Sequence, residues 1–130
     1  MAKKRKKRGK KWEPRAEVTE AQVTAELNED LLDAWRKIRR FGAGLGEQRI
    51  YASGKSVMFS RKICYFFVRM KKKYLEVCFF APEQVRSPLI HASERTSKTR
   101  VWHQVRIIHA DQVEEPITDW LRASYEGTPP

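Results

Sequence analysis

The sequence is short of the residues that build redox, metal and secreted frameworks. Its 130 residues include only two cysteines, Cys64 and Cys78, and three histidines. Two thiols inside apolar runs do not make a disulfide scaffold and read as small buried hydrophobes. No Cys-x-x-Cys or His-x-x-x-His spacing marks a zinc site. No apolar run reaches the roughly 18 residues of a membrane span. The N-terminus has no apolar stretch after its basic start, so a secretory signal is not expected. The one glycine-rich segment, GAGLGE at 42–47, follows a helix pattern and lacks the Lys-Ser/Thr of a phosphate-binding loop. There is no Gly-x-Ser-x-Gly elbow. Strand-end carboxylate pairs are missing as well, and Glu76-Val77-Cys78 lacks the lysine of an acid-x-lysine nuclease strand. No catalytic residue, metal or cofactor is therefore assigned.

Acid is absent where base is densest. Residues 1–11, MAKKRKKRGKK, hold Lys3, Lys4, Arg5, Lys6, Lys7, Arg8, Lys10 and Lys11 and no Asp or Glu. The chain has 27 basic and 16 acidic residues; removing these eight cations leaves 19 against 16, a net of +3. Like charges at this density repel and do not bury a core, so 1–16 reads as a disordered tail. Residues 17–27 read as a linker or a short helix, and 28–127 as one domain.

That domain is expected to be α+β: two layers, an antiparallel sheet of about five strands, one N-terminal and one C-terminal helix. Asn28 is a good N-cap, with Glu29 and Asp30 in the first turn. Leu31, Ala34, Trp35, Ile38 and Phe41 make one helical stripe, and Gly42 suits the left-handed residue after the helix. Strands are expected at 48–52, 56–60, 63–69, 74–80 and 100–109. The polar segment 82–99 between the last two is a long loop with room for a short edge strand. Pro116 opens the closing helix, whose apolar face is Ile117, Trp120, Leu121 and Tyr125.

The third and fourth strands flank Lys71, Lys72 and Lys73. A four-residue loop, Met70 to Lys73, would pair Arg69 with Tyr74, Val68 with Leu75 and Phe66 with Val77. It sorts Cys64, Phe66, Val68, Leu75, Val77 and Phe79 onto one apolar face. Tyr65, Phe67, Arg69, Tyr74, Glu76, Cys78 and Phe80 fall on the other, so the two cysteines point apart and no disulfide is expected. Two helices cover one face only, which leaves a mixed aromatic and basic face to explain.

Three functional readings follow. In the first, the tail and lysine turn contact nucleic-acid phosphates without sequence readout, and Tyr65, Phe67, Arg69 and Tyr74 offer a stacking surface. Arg61, Lys62, Arg95, Lys98 and Arg100 add cations. Either DNA or RNA fits this chemistry. In the second, a small anion or peptide binds Arg86, Arg95, Lys98 and His103 in a pocket between the mixed face and the 82–99 loop. In the third, His103 is an acid–base group; against it, His103 aligns with Val101, Val105 and Ile107, as a core histidine does.

The runs KSVMFSRKICYFFVRMKKKYLEVCFFAPE and WHQVRIIHADQVEEPITDWLRASYE resemble a bacterial and archaeal family catalogued as domain of unknown function 5655, over residues 28–126. Some of its members are labelled predicted transport proteins. The resemblance implies a small antiparallel sheet between two helices and a bacterial, cytoplasmic setting. It carries no catalytic residues to this chain, and the basic tail lies outside its pattern.

Overall fold

The computed structural model describes residues 17–130. Two helices come first, α1 (Glu20–Thr24) and α2 (Glu29–Ala43). Six strands follow: β1 (Arg49–Ser53), β2 (Ser56–Ser60), β3 (Cys64–Met70), β4 (Leu75–Ala81), β5 (Ala92–Ser97) and β6 (Arg100–Ile107). A short 3-10 turn at Ala110–Gln112 leads to α3 (Ile117–Glu126). The strands form one antiparallel sheet in the order β1-β2-β3-β4-β6-β5. The α+β class stands, with six strands rather than five. The extra one is β5, inside the expected loop.

The helix starts obey their caps. Thr19 and Gln22 form a reciprocal capping box that sets α1 in the segment left open as linker or helix. The Asn28 side chain accepts the Leu31 N–H at 2.9 Å and starts α2. The α2 terminus departs from expectation. The helix runs through Gly42, and the cap is Gly44 in a right-handed conformation, φ −77°. Gly42 is instead a packing residue: a Cβ there would stand 2.7 Å from the Phe59 ring.

One face of the sheet carries the core. Val57, Phe59, Phe66, Val68, Met70, Leu75, Val77, Phe79, Val105 and Ile107 pack against Leu31, Ala34, Trp35 and Ile38 of α2 and Ile117 and Leu121 of α3. Phe59 and Phe66 stack with ring centroids 4.1 Å apart, and Trp35 meets Phe59 edge-on. Val23 and Leu27 from the α1 segment, and Val85 and Ile90 from the segment after β4, pack against the same cluster. Everything the described residues lay over the sheet is therefore on this inner side.

The β3–β4 hairpin keeps the expected faces with a different pairing. Met70 opposes Leu75, Val68 opposes Val77 and Phe66 opposes Phe79, a two-residue shift from the expected register. The loop is Lys71 to Tyr74, closed by the Lys71 N–H on the Tyr74 carbonyl at 3.1 Å. The shift brings Met70 onto the core face, where it is buried. An even shift preserves which side chains point inward, because the strand period is two.

The lysine end and the uncovered sheet face

Three pieces of chain meet at one end of the sheet. The Met70 N–H donates to the Lys55 carbonyl at 3.0 Å, joining the β1–β2 turn to the lysine turn. The α1 segment lies beside both. Val18, Val23, Glu26, Lys55, Lys71 and Lys72 line one cleft of about 450 Å³. Lys55, Lys71, Lys72 and Lys73 are all exposed. None of their ammonium groups has a hydrogen-bond or ion-pair partner among the described residues. Lys3, Lys4, Arg5, Lys6, Lys7, Arg8, Lys10 and Lys11 lie outside the described residues, but their covalent attachment is here. Six residues lie between Lys11 and Val18, at most about 25 Å of extended chain.

The outer sheet face begins at the same end. Cross-strand pairing aligns Arg69, Glu76 and Arg106 in one row, then Met58, Phe67, Cys78 and Gln104, then Phe80, Trp102 and Glu94. Arginines rest on the rings. Arg106 lies 4.4 Å from the Tyr74 centroid, Arg100 3.7 Å from Phe80, Arg69 5.9 Å from Phe67 and Arg49 5.1 Å from Tyr51. Arg100 also donates to the Cys64 carbonyl at 2.6 Å, which fixes its side chain. The larger residues lean over the smaller ones, so Glu76 and Cys78 are buried although no helix crosses this face. Burial, reinforced by Glu76, pushes the Cys78 thiol up to about 12. Both cysteines are free.

Tyr65 is not on this face. A bulge, where Phe59 pairs with Phe66 but Ser60 pairs with Cys64, leaves Tyr65 as the extra residue of β3. Its side chain turns inward and is fully buried. The hydroxyl donates to Gln48 Oε1 at 2.5 Å, and the ring stands edge-on to Phe66 and Tyr125. Burial raises the phenol's pKa. Tyr65 therefore offers no ring to a ligand, while Arg69, Tyr74 and the three lysines remain accessible in whole or part. The sequence reading assigns no role to Trp102 or Arg106 and counts Arg100 only as one cation of a basic zone on the domain. Their alternation with buried Val101, His103 and Val105 was the available signal.

A cavity of about 140 Å³ beside the 82–99 loop is lined by Phe80, Pro82, Thr99 and Arg100, and not by the four residues expected to bind an anion there. The Val85 N–H donates to His103 Nε2 at 2.8 Å and draws the loop to the inner side. His103 is fully buried, stacked on Phe79 at 4.7 Å, with no carboxylate beside it. Burial lowers its pKa. Arg95 is engaged with the Ser97 and Lys98 carbonyls and with Glu83. Arg86 and Lys98 are exposed at separate points, so these four residues are not gathered. Among the described residues no cluster of three His, Cys, Asp or Glu is placed to hold a metal ion, and no helix is long and apolar enough to cross a membrane.

Fold and surface together define a two-layer α+β domain with one helix-covered face and one open face of aromatic and guanidinium groups. The chain belongs to the family described as domain of unknown function DUF5655, whose profile matches residues 15–128. The match begins ahead of α1, which is thus part of the family domain, and after the eight tail cations. No curated protein and no solved structure matches the chain.

Proposed function

We propose that this protein is a non-catalytic module that binds nucleic acid through its phosphates, without sequence readout. The observation that carries the reading is convergence. Among the described residues Lys55, Lys71, Lys72 and Lys73 have no ion-pair partner at one end of the sheet, beside the point where the eight-cation tail is attached. Unpaired ammoniums on flexible stems suit a polyanion whose charges are spread along a line, and they carry no base specificity. Glu26 is the one acid lining the same cleft.

Fluorescence anisotropy with labelled single-stranded and duplex oligonucleotides tests this across a salt series. Each phosphate contact removed should flatten the slope of log K against log salt by about 0.9 on duplex. Deleting residues 1–11 should flatten it most. Replacing Lys71, Lys72 and Lys73 together by Gln should flatten it by a smaller, additive amount. Absence of binding to either oligonucleotide at low salt defeats the proposal.

A further inference from the structure

We propose that the uncovered sheet face takes single-stranded nucleic acid, its bases stacking on the ring and guanidinium planes of β3, β4 and β6. The inference rests on the nucleic-acid reading above and assigns it a strand class and a second surface.

Four observations lead there. First, α1, α2, α3 and the segment after β4 pack on the inner side, and among the described residues only the C-terminal end of α3 borders the outer one, at its Phe80–Arg100 end. Second, that face holds the partly exposed rings of Phe67, Phe80 and Trp102 in its middle. Three large rings left partly exposed on one side of a small domain, beside exposed Tyr51, are an interaction surface rather than a packing remnant. Third, Arg69, Arg100 and Arg106 lie over aromatic rings, at 5.9, 3.7 and 4.4 Å from their centroids. A guanidinium over a ring keeps its far plane for a base, and the N–H groups left after Arg69 donates to Glu76, Arg100 to the Cys64 carbonyl and Arg106 to Gln104 remain for phosphate. Fourth, the row holding Arg69 and Arg106 adjoins the lysine turn. A strand whose bases lie on the sheet thus has cations for its backbone at the end of its path.

Charge decides between the two occupants an open face can have. A second copy of this chain would use the same patch twice, related by a twofold axis. The arginines Arg49, Arg69, Arg100 and Arg106 of one copy would then meet the same arginine-rich patch of the other, with Glu94 as the one exposed acid in these rows and Glu76 buried beneath. A polyanion meets no such repulsion. A duplex is also disfavoured, because its bases are stacked inside and present phosphates only. Base stacking on aromatic side chains is available to an unpaired strand.

The test compares the parent chain with Phe67→Ala/Trp102→Ala on a single-stranded deoxyoligonucleotide of about 12 nucleotides and on its duplex. Each lost ring should weaken single-strand binding by about tenfold. Duplex affinity and both salt slopes should stay as they were. Trp102→Phe, which keeps a ring, should bind nearly as the parent does, and Trp102→Ala alone, about tenfold weaker on the single strand, stands in if the double variant fails to fold. If the parent chain binds both forms equally and the variants change neither, the face is not a stacking surface although the phosphate reading survives. If the parent binds neither form, the phosphate reading falls and this inference with it. If sedimentation finds a dimer that the double variant dissociates, the face belongs to a second copy and the proposal is overturned.

Discussion

His103 accepts the Val85 N–H at one ring nitrogen and is shut off from water by its own strand neighbours and Phe79. A protonated imidazole could not accept that bond, and burial already lowers its pKa. The folded value lies below the ordinary one of about 6.5, so the stabilisation is complete above that pH. It is lost progressively as the pH falls from about 6.5 toward the folded value. The parent should therefore lose stability to urea as the pH falls below about 6.5. His103→Leu should be less stable than the parent at neutral pH by about 1–3 kcal/mol, having left the part-buried Val85 N–H without its acceptor. It should also lose part of the acid slope. An unchanged slope in the variant would place the titration elsewhere. The strand alternation of β6 made this histidine's burial legible, because Val101, Val105 and Ile107 share its parity. Tyr65 was not legible. Alternation put it outward, and only the one-residue bulge opposite Ser60 turns it in. A bulge is fixed by where two strands are forced to meet, and the letters of one strand do not contain that.

Among the elements, the α2–sheet contact shows why Gly42 was misread as a helix stop. Helix propensity favours Ala over Gly by about 1 kcal/mol in a helix interior. Here the added methyl would lie 2.7 and 3.0 Å from Phe59 and 3.1 Å from Phe66. Both rings are fully buried and stacked on each other, so neither has room to retreat. Gly42→Ala should destabilise the fold by about 1–3 kcal/mol, as overpacking does. Gly44→Ala, with ordinary φ and only helix carbonyls at 3.4 Å or more, should be close to neutral. Chemical denaturation of the two variants checks the contrast; equal effects would mean that propensity, and not the Phe59 contact, governs both sites. The N-cap of α2 could be read from Asn28 because a cap is local. The hairpin faces could be read because apolar residues alternate over seven positions on both strands. The register could not be read within that parity, since a two-residue shift leaves every face unchanged. Burial of Met70 decides it, a cost that appears only when the sheet meets α2 and the α1 segment.

The whole molecule is a sheet with one covered face, one open face and two edges, and each is managed differently. The β1 side has α1 packed nearby. The β5 edge has no such neighbour: Glu94, Arg95, Thr96 and Ser97 are all exposed, and no large apolar residue occurs in the strand. This is why apolar alternation does not mark β5, and the sequence offers it only as room for a short edge strand within 82–99. Its residues serve no core. They extend the ladder of β6 and end the sheet in polar groups, which is how a free edge resists pairing with another chain. Glu94 sits opposite Trp102 on the open face, and Thr96 donates to the Arg100 carbonyl at 3.3 Å, so neither contributes to the core. Glu94→Val/Thr96→Val should raise β propensity and remove one charge, leaving the urea midpoint near the parent's. Self-association should nevertheless increase, seen as a concentration-dependent rise in sedimentation coefficient. It should be relieved by placing Lys at position 94 instead of Val. A variant that stays at the parent's sedimentation coefficient at every concentration would show that strand shortness, and not polarity, guards this edge. The open face would then need no chemical guard beyond its arginines, and its exposed rings would stand out more clearly as a surface kept for a ligand.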